Sequence, residues 1–188
     1  MNKIKTAVIF AGGKSSRMNK DKSLLPFDGF KTLSEFQYNR LSKIFDKVYI
    51  SCKDNKFDFD ANLILDKYAD SSPLIGLISI FETLDINEVF VISVDSPFID
   101  IDIMDKLELY NQDKYDIIVS STNGKNQPLC AIYKRSILTK AKEFLSKDIH
   151  KLNRVIKSLN SKVVEFEEDN RFANLNYYHE YIDACKNR

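Results

Sequence analysis

The sequence predicts an α/β domain built on a mostly parallel sheet, and three observations carry that expectation. Apolar, β-branched runs such as "IKTAVIF" (4–10) and "EVFVISVD" (88–95) read as strands buried on both faces, as in a parallel sheet. These runs alternate with segments of helical periodicity. No linker, repeat or low-complexity stretch interrupts the 188 residues, so the chain reads as one domain, 1–188, with room for one sizeable core.

Taken in order, the first strand (4–10) runs into a glycine loop, and "SLLPFDGFKTL" follows with Pro26 and an Asp28-Gly29 turn signal. A helix then begins near Ser34, whose hydroxyl is placed to cap while Gln37 reaches back. Its apolar face is Leu33, Phe36, Leu41, Ile44 and Phe45. Strands are expected at 47–52 and 62–66, and a buried helix at 73–84 with Pro73 in its first turn. The strand at 88–95 ends in an aspartate, and a helix over 102–110 leads to a strand at 115–121. Gly124 turns the chain into a strand at 128–133. Helices at 135–146 and 151–159, a strand at 162–166 and a helix at 176–186 complete the chain. Ligands of such sheets bind outside the carboxyl ends of the strands. Three loops leave strand ends here: one after Gly12, one after Asp66 and one after Asp95.

Composition excludes several classes of function. Hydrophobic residues make up 44% and charged residues 29%, as in an ordinary soluble globular protein. The longest apolar runs are far short of a membrane span, and the opening "MNKIKTAVIFAGG" holds too short an apolar stretch for a signal peptide. Cys52, Cys130 and Cys185 are odd in number and form no CxxC, which suits a reducing cytoplasm and gives no metal framework. His150 and His179 lie in polar helical surroundings and read as structural or surface residues. Charge is segregated: residues 1–56 carry 12 Lys and Arg against 5 Asp and Glu, 57–118 carry 3 against 14, and 119–188 carry 13 against 8. That pattern suits an anionic ligand that also needs a cation, and it is not the continuous basic stripe of a nucleic-acid binder.

The loop "FAGGKSSRMNKDKSLL" (10–25) has the chemistry of an anion cradle. Gly12 and Gly13 lack a Cβ, so their backbone amides can approach a phosphate and adopt positive φ. Arg17 offers a fork and Lys22 a point charge for its oxygens. The stretch matches neither GxxxxGK[ST] nor GxGxxG. Asp95, at the end of a buried strand and followed by Ser96-Pro97, is positioned to hold Mg²⁺, which shares its shell with water and phosphates. A turn-forming or helix-capping role is the other reading of Asp-Ser-Pro.

"VIFAGGKSSRMNKDKSLLPF" resembles the signature of the molybdenum cofactor guanylyltransferases, approximately LAGGxSxRMGxDKxLL. "VISVDSPFI", "SSPLIGL", "QPLCAIY" and "RFANLNYYHEY" resemble that family's later segments, in the family's order and over nearly the whole chain. The resemblance implies a Rossmann-like nucleotidyltransferase fold with three α/β/α layers, located in the cytoplasm. It further implies GTP and molybdenum-molybdopterin as substrates with Mg²⁺ as cofactor, and transient contacts with cofactor-biosynthesis proteins and apoenzymes. Neither nucleic acid nor membrane is expected as a partner. By position, Phe10, Ala11, Gly12 and Gly13 would contact GTP, Lys22 its phosphates with Arg17 assisting, and Ser51 and Asp66 the nucleoside. Asp95 would hold the metal, and Asn174 and Asn176 would lie near the pterin. Lys125, Lys134 and Arg154 are candidate contacts of the pterin phosphate.

The sequence departs from the pattern at Asn19, which replaces a Gly, at Ser51, where Asn is common, and at Tyr177-Tyr178, which replace Thr-Pro. The implied chemistry is GMP transfer with release of pyrophosphate. Rival readings are a cytidylyltransferase for the same cofactor or a transferase for a sugar or polyol phosphate. A rival from another class is a non-catalytic nucleotide- or cofactor-binding chaperone, against which Asp95, Lys22 and Arg17 together speak.

Overall fold

A computed structural model describes residues 4–12, 20–167 and 169–186 of the chain. Among these residues one sheet holds β1 (Thr6–Phe10), β2 (Lys47–Cys52), β3 (Leu63–Leu65), β4 (Glu88–Ser93), β5 (Ile117–Thr122), β6 (Lys125–Lys134) and β7 (Ser161–Phe166). The helices are α1 (Leu33–Leu41), α2 (Pro73–Thr83), α3 (Ile101–Leu109), α4 (Leu138–Ser146), α5 (Leu152–Ser158) and α6 (Tyr178–Lys186). None of the described helices is long and apolar enough to cross a membrane.

The strand order is β3-β2-β1-β4-β6-β5-β7. β3, β2, β1 and β4 run parallel, as do β5 and β7, while β6 is antiparallel to both of its neighbours. The sheet is thus mostly parallel, as its apolar runs predict, with β6 as the exception. The cause is a tight turn: Asn123 and Gly124 both take positive φ, 52° and 68°, the backbone that folds one strand back along another.

The central strands β1 and β4 are apolar over most of their length because both faces are covered. Ala7 and Ile9 of β1, with Phe90 and Ile92 of β4, pack against α1, α3 and α6 through Phe36, Leu107 and Tyr181. Val8 and Phe10, with Val89 and Val91, pack on the opposite face against α2, α4 and α5 through Leu77, Ala141 and Val155. Each large side chain so buried contributes about 1.5–3 kcal/mol. Cys52 and Cys130 belong to this interior, where burial pushes their thiols up to about 11 and about 12, so both stay protonated and inert.

Two local expectations change. Thr32, not Ser34, caps α1: its hydroxyl accepts from the Glu35 N–H, and the Glu35 carboxylate reaches back to the Lys31 N–H at 3.0 Å. Ser34 lies inside the first turn, and its buried hydroxyl donates to the Ser23 carbonyl at 2.9 Å. The helix also ends at Leu41, so Ile44 and Phe45 pack from the turn beyond it. The other change is in β6, which starts at Lys125 and contains Pro128. Pairing jumps from Ser120↔Gln127 to Val119↔Ala131, because Pro128 has no N–H to offer a ladder. The Ser120 hydroxyl donates to the Cys130 carbonyl at 2.7 Å and the Tyr133 hydroxyl to the Pro128 carbonyl at 2.9 Å, which secures the bulge.

The chain proceeds from β1 outward to β2 and β3, then crosses back so that β4 lies on the other side of β1. This reversal opens a crevice between the carboxyl ends of β1 and β4, the place where open α/β sheets take their ligands.

Candidate active site

At that crevice Phe10, the last residue of β1, pairs with Ser93, the last of β4, and its carbonyl accepts from the Val94 N–H at 3.0 Å. The chain then turns through Asp95. One Asp95 oxygen accepts the Ser93 hydroxyl at 2.5 Å; the other accepts the Lys22 ammonium at 3.0 Å. The same ammonium donates to Asn176 Oδ1 at 3.0 Å. Beside it the Ser96 hydroxyl donates to Asn174 Oδ1 at 2.5 Å, and the Leu175 N–H bonds to the Asp95 carbonyl at 2.9 Å. Lys22 opens a short 3-10 turn (Lys22–Leu24) that Asp21 caps. Expectations drawn from opposite ends of the chain therefore meet at one point: Lys22, Asp95, Asn174 and Asn176.

Clefts surround this junction: one of about 660 Å³ is lined by Arg171, Asn174, Asn176 and Glu180, and two more meet at His150. The smaller of these two, of about 540 Å³, is lined by Ser93, Asp95, Pro128, Lys151 and Asn174. The larger, of about 850 Å³, is lined by Gly12, Asp21, Lys53, Lys56 and Ser71. His150 borders both. The Asp148 carboxylate only accepts, so in the neutral ring Nε2 donates to it (3.0 Å) and Nδ1 accepts from the Ser72 hydroxyl (3.0 Å). Ser72 in turn caps α2 by accepting from the Ile75 N–H. His150 thus ties the start of α2 to the segment before α5, a structural role, and does so at the meeting of the clefts.

Gly12 presents bare backbone to the larger cleft. It does not take a positive φ, and among the described residues a Cβ there would meet only the Ser71 hydroxyl, at 3.9 Å. Asp66, just beyond β3, accepts from that Ser71 hydroxyl at 3.2 Å. Burial pushes the Asp66 carboxyl up, against the Ser71 hydrogen bond and the Lys53 charge. Gly13, Arg17 and Asn19 lie outside the described residues. Phe10 is buried, with its ring against Gly76 of α2. Ala11 donates its N–H to the Ser51 carbonyl and accepts the Lys56 ammonium at its own carbonyl.

Two expectations are corrected. Ser51 is 3% exposed, its hydroxyl 3.0 Å from where a Cβ on Gly76 would stand, so its side chain lies under α2 and not in a cleft. Lys134 sits opposite Glu88, at the amino end of β4, because β6 runs antiparallel; it bonds the Gln112 carbonyl at the far end of the sheet. Lys125 is exposed at the 123–124 hairpin, and Arg154 is exposed on α5, next to Lys151 and Asn153 of the smaller cleft.

Among the described residues no three His, Cys, Asp or Glu gather as a metal cage. Asp95 alone, at the mouth of the crevice and already balanced by a cation, suits Mg²⁺, which binds through one or two carboxylates and completes its shell with water and phosphate. The sequence does not single out Lys56, marks His150 only as a structural or surface residue, and marks Gln37 only as part of a cap. Gln37 of α1 is fully buried and donates to the carbonyls of Ser93, Val94 and Ser96, so it holds the turn that carries Asp95.

Comparison with known proteins agrees with this geometry. Residues 7–163 match the family model of the MobA-like NTP transferase domain. A molybdenum cofactor guanylyltransferase from Campylobacter jejuni subsp. doylei is 40% identical over 176 residues, which cover 93% of this chain and 92% of that one. One from Helicobacter pylori is 31% identical over 180 residues, covering 93% and 88%. The fold is shared with molybdopterin-guanine dinucleotide biosynthesis protein A from Archaeoglobus fulgidus, at a TM-score of 0.81 with 19% identity over 96% of this chain and 97% of that one. Sequence over nearly its whole length and the crevice at its strand reversal lead to the same place: the chain belongs to the MobA-like NTP transferase family.

Proposed function

We propose that this chain is a molybdenum cofactor guanylyltransferase, which transfers GMP from GTP to the phosphate of molybdenum-bound molybdopterin. The observation that carries the reading is the junction of Lys22, Asp95 and Asn176 among these clefts, in a chain 40% identical to an enzyme of that name. In this reading the larger cleft takes GTP, with its phosphates toward the backbone of Ala11, Gly12 and Gly13 and its nucleoside toward Asp66. The cleft of about 540 Å³ takes the pterin, next to Asn174, with Asn176 beside it at the Lys22 ammonium.

The reaction needs little from a general base, because the acceptor phosphate is already ionised near neutral pH. Its oxygen attacks the α-phosphorus of GTP, the new P–O bond forms, and the bond to the bridging oxygen of the β-phosphate breaks. Pyrophosphate leaves with the electron pair. Catalysis is then positioning and charge stabilisation. Lys22, now paired with Asp95, would exchange the carboxylate for phosphate oxygens when triphosphate enters, with Arg17 assisting. Asp95, released from the lysine, would hold Mg²⁺, which supplies Lewis-acid neutralisation of phosphate charge when bound. Cytoplasmic location and transient contact with the proteins that supply and receive the cofactor follow from the same reading.

The test is turnover with purified molybdenum cofactor and each of GTP, CTP, ATP and UTP. Pyrophosphate release with GTP is expected. Preferential use of CTP would make the chain a cytidylyltransferase, and binding without turnover would make it a carrier. Asp95→Ala and Lys22→Ala are each expected to keep the fold and lose about 10²–10³-fold or more in kcat, the loss of one strong electrostatic stabiliser; near-normal turnover in both would refute the assigned site.

A further inference from the structure

We infer that Lys56 is a positioning residue that clamps the base of the glycine loop and, through Asp21, sets Lys22 at the junction. Its consequence for catalysis rests on the nucleotide reading above, whereas the clamp itself rests on geometry.

Lys56 lies in the connection between β2 and β3, remote in sequence from the loop. Its ammonium donates to the Ala11 carbonyl at 3.0 Å and to Asp21 Oδ2 at 2.5 Å. Ala11 and Asp21 are the two shoulders of the glycine loop. Ten residues of extended chain would span roughly 33 Å, yet both shoulders reach a single nitrogen. A lysine suits the position because one shoulder offers a neutral carbonyl and the other a carboxylate. A neutral donor would satisfy the first and leave the second uncompensated in a half-buried place.

Asp21 carries the effect onward. Its other oxygen accepts the Ser23 N–H at 3.0 Å and the Ser23 hydroxyl at 2.6 Å, which caps the turn that opens with Lys22. That turn is closed by the Leu24 N–H on the Asp21 carbonyl and the Leu25 N–H on the Lys22 carbonyl. Burial pushes the Asp21 carboxyl up, but its bonds to Lys56 and Ser23 outweigh burial and hold it below the ordinary value. The path is therefore continuous: Lys56 fixes Asp21, Asp21 fixes the turn, and the turn presents Lys22 to Asp95 and Asn176. The Lys56 ammonium lies over the Phe57 ring, 5.7 Å from its centroid, and Phe57 packs onto the core, so the clamp is anchored to the body of the domain.

Lys56 also borders the larger cleft, so a direct contact with phosphate is the competing explanation, and the test separates the two. The variants are Lys56→Met, which keeps the stem, Lys56→Arg, Asp21→Asn and the Lys56→Met/Asp21→Asn pair. In the ligand-free chain, amide hydrogen exchange at Ser23, Leu24 and Leu25 is expected to quicken in Lys56→Met and Asp21→Asn, and to stay parental in Lys56→Arg. GTP titrated calorimetrically without acceptor is expected to bind about tenfold more weakly to Lys56→Met, an amount equal to 1.4 kcal/mol. Asp21→Asn should match it, and the pair should be no weaker than either alone. In turnover the KM for GTP should rise by the same factor while the KM for the acceptor holds.

Unchanged exchange at the three amides would overturn the clamp. So would losses that multiply in the pair, which would mean that Lys56 touches nucleotide directly. Equal rises in both KM values with a lowered melting temperature would reduce Lys56 to a structural residue and also overturn the proposal. Quickened exchange in Lys56→Met and Asp21→Asn, with a parent chain that binds no GTP, would uphold the clamp and refute the nucleotide reading.

Discussion

Gln37 carries no charge, yet Asp95 depends on it. Its amide lies 3.4, 3.3 and 3.1 Å from the carbonyls of Ser93, Val94 and Ser96, and its own carbonyl accepts from Arg40 at 2.5 Å. The side chain is fully buried, and while the Ser93 carbonyl also accepts the Ser96 N–H at 3.2 Å, the Val94 and Ser96 carbonyls look to the amide. Gln37→Met keeps the volume and removes the donor, leaving buried acceptors unpaired at a cost of about 1–3 kcal/mol. For a chain of this length that is a fall in melting temperature of several degrees, about 2–4 °C per kcal/mol, readable in a thermal melt. Because the turn then loses its support, kcat should fall as well, while GTP binding measured alone should change little. Nothing in the sequence marks Gln37 for this task. The residues it serves are more than fifty positions away, and the spacing from Ser34 suggests a cap instead.

At the scale of elements, α2 shows how a local sequence sets a close approach. Gly76 lets this helix press on β1 and β2: a Cβ there would stand 2.5 Å from Phe10 Cε1 and 3.0 Å from the Ser51 hydroxyl. Gly76→Ala gains about 1 kcal/mol of helix propensity but forces the buried Phe10 ring aside, and overpacking of this kind costs about 1–3 kcal/mol. A net loss of stability is expected in denaturant unfolding, with a rise in the KM for GTP because Phe10 leads directly into Gly12. Elements buried on both faces were legible for a plain reason: the polar residues of β1 and β4, Thr6, Glu88 and Ser93, stand only at strand ends, and Pro73 marks where α2 begins. The start of β6 was not legible, because Pro128 reads as a strand boundary and is instead a bulge held by Ser120 and Tyr133. The site divides the same way. Gly12, Lys22 and Asp95 follow strand ends and can be read as such. Lys56 and His150 become site residues only when distant loops meet, through Asp21 and Ser72.

In the whole molecule, the segregated charge of the sequence is partly resolved by internal pairing. The basic opening meets the acidic middle at Lys22–Asp95, and the basic end meets it at Arg171–Asp100 and Lys142–Glu82. Arg171 also binds Asp169, which tethers the segment carrying Asn174 and Asn176 to the cap of α3. Hydrogen bonding to Arg171 outweighs burial and holds the Asp169 carboxyl below its ordinary value of 3.8, as Lys56 and Ser23 do for Asp21. A depressed folded pKa contributes stability that is fully present above the unfolded value and lost as pH falls through the folded one. Asp66, pushed up by burial, has the opposite sign: its protonation relieves a penalty on the way down. Glu82, Glu143 and Glu165, like Asp21 and Asp169, are held low by their hydrogen-bond partners. The melting temperature should therefore hold from about pH 7 to about pH 5 and decline below about pH 4, where the depressed carboxylates outweigh the raised Asp66. Arg171→Met isolates the share of Asp169. Its ion pairs are partly exposed and solvent-screened, so the variant should lose roughly 1 kcal/mol or less at neutral pH. Thermal melts over the acid range should show its curve meeting that of the parent once Asp169 is protonated, and a constant offset at every pH would show that Arg171 acts through packing and not through charge.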